Sequence, residues 1–370
     1  MMEATPVIEA AAPAATRPVR VLLVVGAGFV RRPWRDTVLA GLRPTRLASA
    51  VQAGLPTPES VATIARQART HRAAALVAVG GGSVMDAAKC AAVLAGHPEP
   101  TSEVVLRWCA AGAPARGLPI VAVPTTPGTG AEATPFATVW DRRAGRKLSL
   151  RGPGLLPAAA ILDADLLLGL PSDQLASCLL DTLAQGIESA WSTRADERAE
   201  ALGCAAMTHL AGLLDHPPDG VGAAERHALL LAGHCSGRAI AIAGTTACHA
   251  LSYPLTLRYG LPHGHACGVT LAGMLRYNAA VSAADCRDPR GPDRVRRAIA
   301  GVVTAAGTDD VATLARRVDT FLVAAGLRAG PDLGVDAAWV VDEALSYDRA
   351  GNNPRELDHG KLVQFLTFVS

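Results

Sequence analysis

The sequence is poor in charge, in aromatic residues and in paired cysteines. Charged residues make up 18% and aromatic residues 4% of the 370 residues, whereas 50% are hydrophobic. Such a chain is globular, and its core must be built from aliphatic side chains. The eight cysteines include no CxxC pair. Their low density excludes a disulfide-stapled secreted domain and favours reduced thiols in a cytoplasm.

Signals for several kinds of partner are also missing. The net charge is only +2, and no basic run is interleaved with aromatic residues, which argues against nucleic acid as a partner. The longest uncharged apolar stretch, 239–257, is interrupted by His249 and Pro254, unlike a membrane span. Residues 1–18 have acidic residues and prolines in place of the basic and apolar regions of a secretion signal. We predict a disordered tail there.

The alternation of short apolar runs with helical segments predicts the fold. Four apolar runs between residues 19 and 162 contain VLLVVG, ALVAVG, IVAVP and AAAILD. They predict an α/β domain with a parallel sheet, covered by helices on both faces, over residues 19–165. After Pro171 the segments are rich in Ala and Leu with polar residues at helical spacing, which predicts an all-α domain over residues 166–370.

Two turns follow buried strands, where an open parallel sheet binds its ligands. The first turn is Gly80, Gly81, Gly82 and Ser83. Its backbone N–H groups and the following helix N-terminus suit a pyrophosphate. The second turn offers three hydroxyls, those of Thr125, Thr126 and Thr129. Either turn alone is equally consistent with ordinary turn chemistry, and neither the G-x-G-x-x-G fingerprint nor the P-loop is present.

Polar residues in the second half form a candidate metal site. Asp181, Gln185 and Glu188 lie at i, i+4 and i+7, on one stripe of an otherwise apolar helix. A carboxylate that faces a core needs a partner or a metal. Together with His249 and His263, Asp181 would form a set of one carboxylate and two imidazoles. Such a set suits zinc or iron(II).

Spacing alone leaves structural roles open for these residues, since a histidine in an apolar helix is commonly a hydrogen-bonded core residue. Asp181 is equally able to cap or pair structurally. We assign structural roles to His265, Cys248 and Cys267, because the site needs no further ligand.

Together these motifs resemble a known family. GGGSVMDAAK (80–89), PTTPGTGAE (124–132), ILDADLLLGLP (161–171), the stripe on the predicted helix, His249 and the PHG of 262–264 occur in the order found in iron-containing (group III) alcohol dehydrogenases. The resemblance extends from about residue 19 to residue 355. It implies the dehydroquinate synthase-like fold of that family, a homodimer, a nicotinamide cofactor on the first domain, and Fe2+ or Zn2+ on the second.

The resemblance also implies roles for particular residues. Asp181, His249 and His263 would be metal ligands and therefore catalytic, and Gln185 stands where the family has a fourth ligand, a histidine. An amide oxygen is a poorer donor than imidazole, so the site could be weaker. Two further cofactor contacts follow from the matched motifs, Asp86 and Lys147. Gly26 occupies a position where members that prefer NADH tend to have an acidic residue, and we therefore favour NADPH over NADH.

The substrate prediction also rests on the resemblance. The segment 249–266 is similar to that of members that reduce phosphonoacetaldehyde. Tyr253 replaces a histidine often assigned to proton transfer, and we expect packing or substrate contact from it. An anionic phosphonate needs a fixed cation, for which Arg258 and Arg151 are the candidates.

Three alternatives remain open. A dehydroquinate-synthase-like lyase shares the architecture, the nicotinamide and the metal. A non-enzymatic relic of the family that binds no metal would explain why Gln185 stands in place of the ligand histidine. A reductase of short hydroxy-aldehydes or diols would use the same chemistry on another substrate.

Overall fold

A computed structural model describes residues 18–43, 45–215 and 221–367 of the chain. The disordered tail predicted for residues 1–18 lies outside the described residues, apart from Pro18. Among the described helices, none combines the length and the apolar character needed to cross a membrane.

The chain divides into two compact units. The first comprises the chain up to Thr126 and Gly130–Gly169, and the second comprises Pro127–Thr129 and Leu170–Ser370. The boundary therefore lies four residues after the predicted one. Leu166 explains the difference, because it is buried with Val21 and Val121 in the core of the first unit.

The first unit is built around a parallel sheet. Among its described residues, this unit has seven strands: β1 (Arg20–Gly26), β2 (Arg46–Gln52), β3 (Ala75–Gly80), β4 (Ile120–Pro124), β5 (Phe136–Asp141), β6 (Arg146–Arg151) and β7 (Ala159–Ala160). Five of them form one sheet in the order β2-β1-β3-β4-β7, with every neighbouring pair parallel. Alternate residues of β1 enter two separate apolar clusters, so this strand is buried on both faces as predicted.

Four helices belong to the first unit: α1 (Arg35–Gly41), α2 (Pro58–His71), α3 (Gly82–Leu94) and α4 (Ser102–Ala111). Strands β5 and β6 form a separate antiparallel hairpin. The buried Lys89 of α3 fixes the segment that leads into this hairpin. It donates hydrogen bonds to Ala131 O (2.9 Å), Thr134 Oγ1 (2.9 Å) and Phe136 O (2.5 Å).

The second unit is helical, as predicted. Its nine α-helices among the described residues are α5 (Ser172–Trp191), α6 (Glu197–Leu210), α7 (Ala223–Ala243), α8 (Ala247–Tyr259), α9 (His263–Ala279), α10 (Pro292–Ala305), α11 (Val311–Ala324), α12 (Ala337–Leu345) and α13 (His359–Thr367). A short 3-10 segment, Asp348–Asn352, connects the last two.

Glycines let α9 approach α5 very closely. A Cβ atom on Gly264 would lie 1.8 Å from Ser177 O, and one on Gly268 would lie 2.9 Å from a methyl carbon of Leu180. No other residue fits such a contact without moving the backbone. The approach places His263, the first residue of α9, beside the middle of α5.

Candidate active site

Three predicted ligands meet in the second unit. Asp181 Oδ1 lies 3.3 Å from His249 Nε2 and 3.9 Å from His263 Nε2. Asp181 is 3% and His249 4% exposed. Burial raises the pKa of the Asp181 carboxyl, but the two imidazoles and the Gln185 amide lower it more, and the net pKa is below its usual value. The carboxylate is therefore ionised at neutral pH.

Glu188 sets the orientation and the tautomer of His249. Its buried carboxylate accepts hydrogen bonds from Thr246 Oγ1 (2.7 Å) and Cys248 N (2.7 Å), and also from His249 Nδ1. Burial raises the pKa of Glu188, yet these partners lower it below its ordinary value. Because Nδ1 faces Glu188, Nε2 is the ring nitrogen that faces Asp181, and it has no hydrogen-bond partner among the described residues.

Ser252 sets the orientation and the tautomer of His263. The hydroxyl of Ser252 donates to His249 O (2.7 Å) and lies 3.2 Å from His263 Nδ1. A hydroxyl has one proton, so His263 Nδ1 must be the donor in the second contact. His263 Nε2 is then a lone-pair donor facing Asp181.

A fourth donor joins this group. The ligand atoms of Asp181, His249, His263 and Cys267 all lie within 4.8 Å of one another. Ligands of a tetrahedral zinc ion, about 2.0–2.3 Å from the metal, are separated by about 3.3–3.8 Å. The cluster therefore fits a divalent cation after shifts of about 1 Å or less. From the sequence we expected a structural role for Cys267, but the structure brings its sulfur to this group.

Gln185 is placed differently from the predicted ligand. Its Nε2 donates to Asp181 Oδ1 (3.0 Å), and its Oε1 accepts from Ser236 Oγ (2.9 Å). The amide thus turns a hydrogen-bond donor toward the carboxylate, and its only ligating atom is held by Ser236. This arrangement does not support ligation by Gln185 but orients Asp181.

Tyr253 packs on the cluster. Its ring is 2% exposed and stacks on His263 with a centroid distance of 6.1 Å. Its other neighbour is Tyr347, whose ring meets it edge-on at 5.0 Å. The geometry agrees with the packing role expected for Tyr253.

The two predicted turns of the first unit lie side by side. Thr125 N donates to Gly80 O (3.0 Å), and a Cβ atom on Gly81 would lie 2.8 Å from Thr126 Oγ1. Gly26 ends the neighbouring strand β1, in register with the end of β3. All three strand ends form one edge of the sheet, where a dinucleotide would bind.

Helix α3 starts directly at this edge. Gly82 and Ser83 form its first turn, and the N-cap Gly81 supplies no side-chain hydrogen bond. The first N–H groups of an α-helix lack partners within the helix and attract anions. The turn is therefore suited to phosphate.

Three other predicted cofactor residues lie elsewhere. Asp86 Oδ2 accepts from Thr138 N (2.8 Å) and lies near Lys89 (3.8 Å to Oδ1), so it supports the hairpin. Lys147 belongs to β6 of that hairpin. Thr129 belongs to the second unit.

The two predicted phosphonate contacts each lie over an aromatic ring. Arg258 is nine residues after His249 on α8, and at about 100° per residue it lies on the opposite side of that helix. Its guanidinium stacks 4.2 Å from the ring centroid of Trp339. Arg151 is exposed at the end of β6, with its guanidinium 5.6 Å from the ring centroid of Phe136.

Comparisons with known proteins agree with this architecture. The sequence profile described as iron-containing alcohol dehydrogenase matches residues 6–164, and the C-terminal profile of the Fe-containing alcohol dehydrogenase family matches residues 175–368. The chain belongs to the iron-containing alcohol dehydrogenase family. It is therefore an oxidoreductase, which decides against the lyase alternative.

Individual members of the family differ in their similarity to the chain. The phosphonoacetaldehyde reductase of Streptomyces viridochromogenes is 50% identical over 352 residues, 94% of this chain and 89% of that protein. The 4-hydroxybutyrate dehydrogenase of Cupriavidus necator is 31% identical over 281 residues, 74% of this chain and 71% of that protein. The solved structure of sulfoacetaldehyde reductase from Bifidobacterium kashiwanohense with NAD+ matches with a TM-score of 0.82 and 26% identity, covering 94% of this chain and 90% of its own.

Proposed function

We propose that this dehydrogenase reduces phosphonoacetaldehyde to 2-hydroxyethylphosphonate with a nicotinamide cofactor and a divalent metal. The observation that carries the proposal is the 50% identity to a phosphonoacetaldehyde reductase over 94% of the chain. The matched sulfoacetaldehyde reductase supports it, because both names describe an acetaldehyde that bears an acidic group.

Asp181, His249 and His263 are the residues that would hold the metal. Their fit rests on the unpartnered Nε2 of His249 and on the two tautomers fixed by Glu188 and Ser252. When bound, a divalent cation such as Fe2+ or Zn2+ acts as a Lewis acid on a carbonyl oxygen, and a reduced nicotinamide supplies hydride. Glu188 keeps His249 oriented by stabilising its Nδ1 proton, and Gln185 fixes the Asp181 carboxylate.

The cofactor would bind at the sheet edge of the first unit. Gly81, Gly82 and Ser83 offer backbone N–H groups to the pyrophosphate, with Thr125 and Thr126 beside them. Because Gly26 has no side chain, the end of β1 carries no carboxylate that would bind the free ribose 2′-hydroxyl of NADH. We therefore propose that NADPH is accepted as well as NADH.

We propose Arg349 as the cation that binds the phosphonate. It lies in the segment Asp348–Asn352, and its Nη1 donates to Thr245 Oγ1 (2.7 Å), just ahead of α8. Tyr347, two residues before it, contacts the Tyr253 ring that stacks on His263. A guanidinium can bind a phosphonate through paired N–H donors.

A substrate panel tests the proposal. Oxidation of NADH and of NADPH should be followed with phosphonoacetaldehyde, propanal, lactaldehyde and succinic semialdehyde, after loading with Fe(II) or Zn(II). We expect the highest kcat/KM with phosphonoacetaldehyde. A preference for lactaldehyde or propanal would favour the reductase of short aldehydes instead, and metal analysis of the purified protein tests the alternative of a relic without metal.

We also propose a cytoplasmic homodimer that serves phosphonate or phosphinate biosynthesis. The family resemblance supports the dimer, and the proposed substrate supports the pathway. Light scattering on the protein eluted from a size-exclusion column would measure its molar mass, and the mass of a monomer would contradict the proposed dimer.

A further inference from the structure

We infer that the thiolate of Cys267 is the fourth protein ligand of the metal, in place of the histidine that Gln185 replaces. The inference rests on the proposed metal site and adds a ligand to it. Cys267 is fully buried, one helical turn after His263 on α9, and so on the same face of that helix. Its sulfur is within 4.8 Å of the ligand atoms of Asp181, His249 and His263.

The other candidate for this position, Gln185, is already hydrogen-bonded at both ends of its amide. Gln185 Oε1 is engaged by Ser236, and its Nε2 already donates to Asp181. The buried Nε2 of His249 has no hydrogen-bond partner among the described residues. A metal ion at the centre of the four groups would supply that partner.

A cysteine binds a metal as its thiolate. On binding, the thiol proton leaves to solvent as the sulfur–metal bond forms. A sulfur ligand also shifts the preference toward zinc or iron and away from magnesium or manganese.

X-ray absorption of the zinc-loaded wild-type protein tests the inference without any substitution. We expect one sulfur scatterer at about 2.3 Å beside nitrogen and oxygen scatterers at about 2.0–2.2 Å. A shell of nitrogen and oxygen alone would overturn the role of Cys267 and leave the three-ligand site intact. A protein that takes up no zinc would overturn the proposed metal site as well.

Cobalt substitution provides the comparison between variants. Co(II)-loaded wild type and Cys90→Ala should share a thiolate-to-cobalt charge-transfer band that Cys267→Ala lacks. Cys90 is the matched control because it is equally buried but lies in the core of the first unit. Changes outside the ligand shell already weaken metal binding about 10- to 100-fold, so loss of a ligand should weaken zinc binding about 100-fold or more. A band that persists in Cys267→Ala would overturn the inference.

Discussion

The two units build their candidate binding sites from opposite materials. In the first unit the site is backbone: glycines and a helix N-terminus, with side chains that are small or absent. In the second unit it is a cluster of charged or coordinating side chains, three of which are held by hydrogen bonds with Gln185, Glu188 and Ser252. We therefore expect the first site to be sensitive to added volume and the second to loss of charge. Substitutions can therefore separate the two.

The largest effect should come from removing charge in the second unit. Asp181→Asn keeps the volume but loses the only carboxylate among the proposed ligands. We expect kcat/KM to fall about 1000-fold or more, because Lewis-acid stabilisation is worth several kcal/mol. Metal content should fall with it, as measured by elemental analysis, while cofactor binding is retained.

Asp173→Asn is the matched control, because Asp173 lies exposed in the first turn of the same helix. It should leave activity and metal content unchanged. Full activity in Asp181→Asn would refute the ligand assignment.

Arg349→Gln tests whether side chains of the second unit also select the substrate. Hydrogen bonds to charged groups are worth about 1.5–3 kcal/mol. We therefore expect KM for phosphonoacetaldehyde to rise about 10- to 150-fold, with little change for propanal. Arg258→Gln, which removes the guanidinium stacked on Trp339, should change neither. Equal losses with both aldehydes would show that Arg349 is structural.

Gly81→Ala applies the volume test to the first unit. The added Cβ would lie 2.8 Å from Thr126 Oγ1, so the turn must shift. We expect about a tenfold rise in KM for the cofactor, equivalent to about 1.4 kcal/mol, with metal content unchanged. Gly41→Ala, where the new Cβ meets nothing within 4 Å, is the control. If metal content fell with cofactor affinity, the separation of the two sites would be wrong.

Lys89 is the exception in the first unit, because it is a buried charge, and its effect should be on stability rather than on activity. Burial lowers the pKa of Lys89 despite its neighbour Asp86. Between that lowered value and about 10.4, the unfolded chain binds more protons, so stability should rise with pH. Lys89→Met should lose this rise and, by leaving carbonyls unpaired, about 1–3 kcal/mol at pH 7. Urea unfolding between pH 7 and 10 measures both, and parallel profiles would contradict the assignment.

The sequence predicted the buried strands of the fold but not the exposed ones. Four strands, β1, β3, β4 and β7, lie within the apolar runs. Strand β2 was not predicted, because it is an edge strand whose residues are mostly exposed and its sequence is therefore not apolar. The hairpin β5–β6 was missed for a different reason. Strand β5 is partly buried, but the hairpin is supported by Lys89 and Asp86, which are far away in sequence.

Within the site, helical spacing placed Asp181 and Gln185 on one stripe, and the residue types indicated His249 and His263 as their partners. Cys267 was assigned a structural role and Arg349 was not considered, because the part proposed for each depends on contacts between separate segments. Arg258 was chosen by its nearness in sequence to His263, whereas helical geometry turns it to the side of α8 opposite His249. Distance along the chain is therefore a poor guide to which side of a helix a residue occupies.

The hydrogen bonds of Glu188 have one more consequence. They anchor the His249 ring to the backbone of its own helix through Cys248 N and Thr246, and none of them involves a metal. The imidazole therefore cannot swing aside when an ion departs. A protein stripped by a chelator should keep its donor in place and regain full occupancy rapidly once the ion is returned.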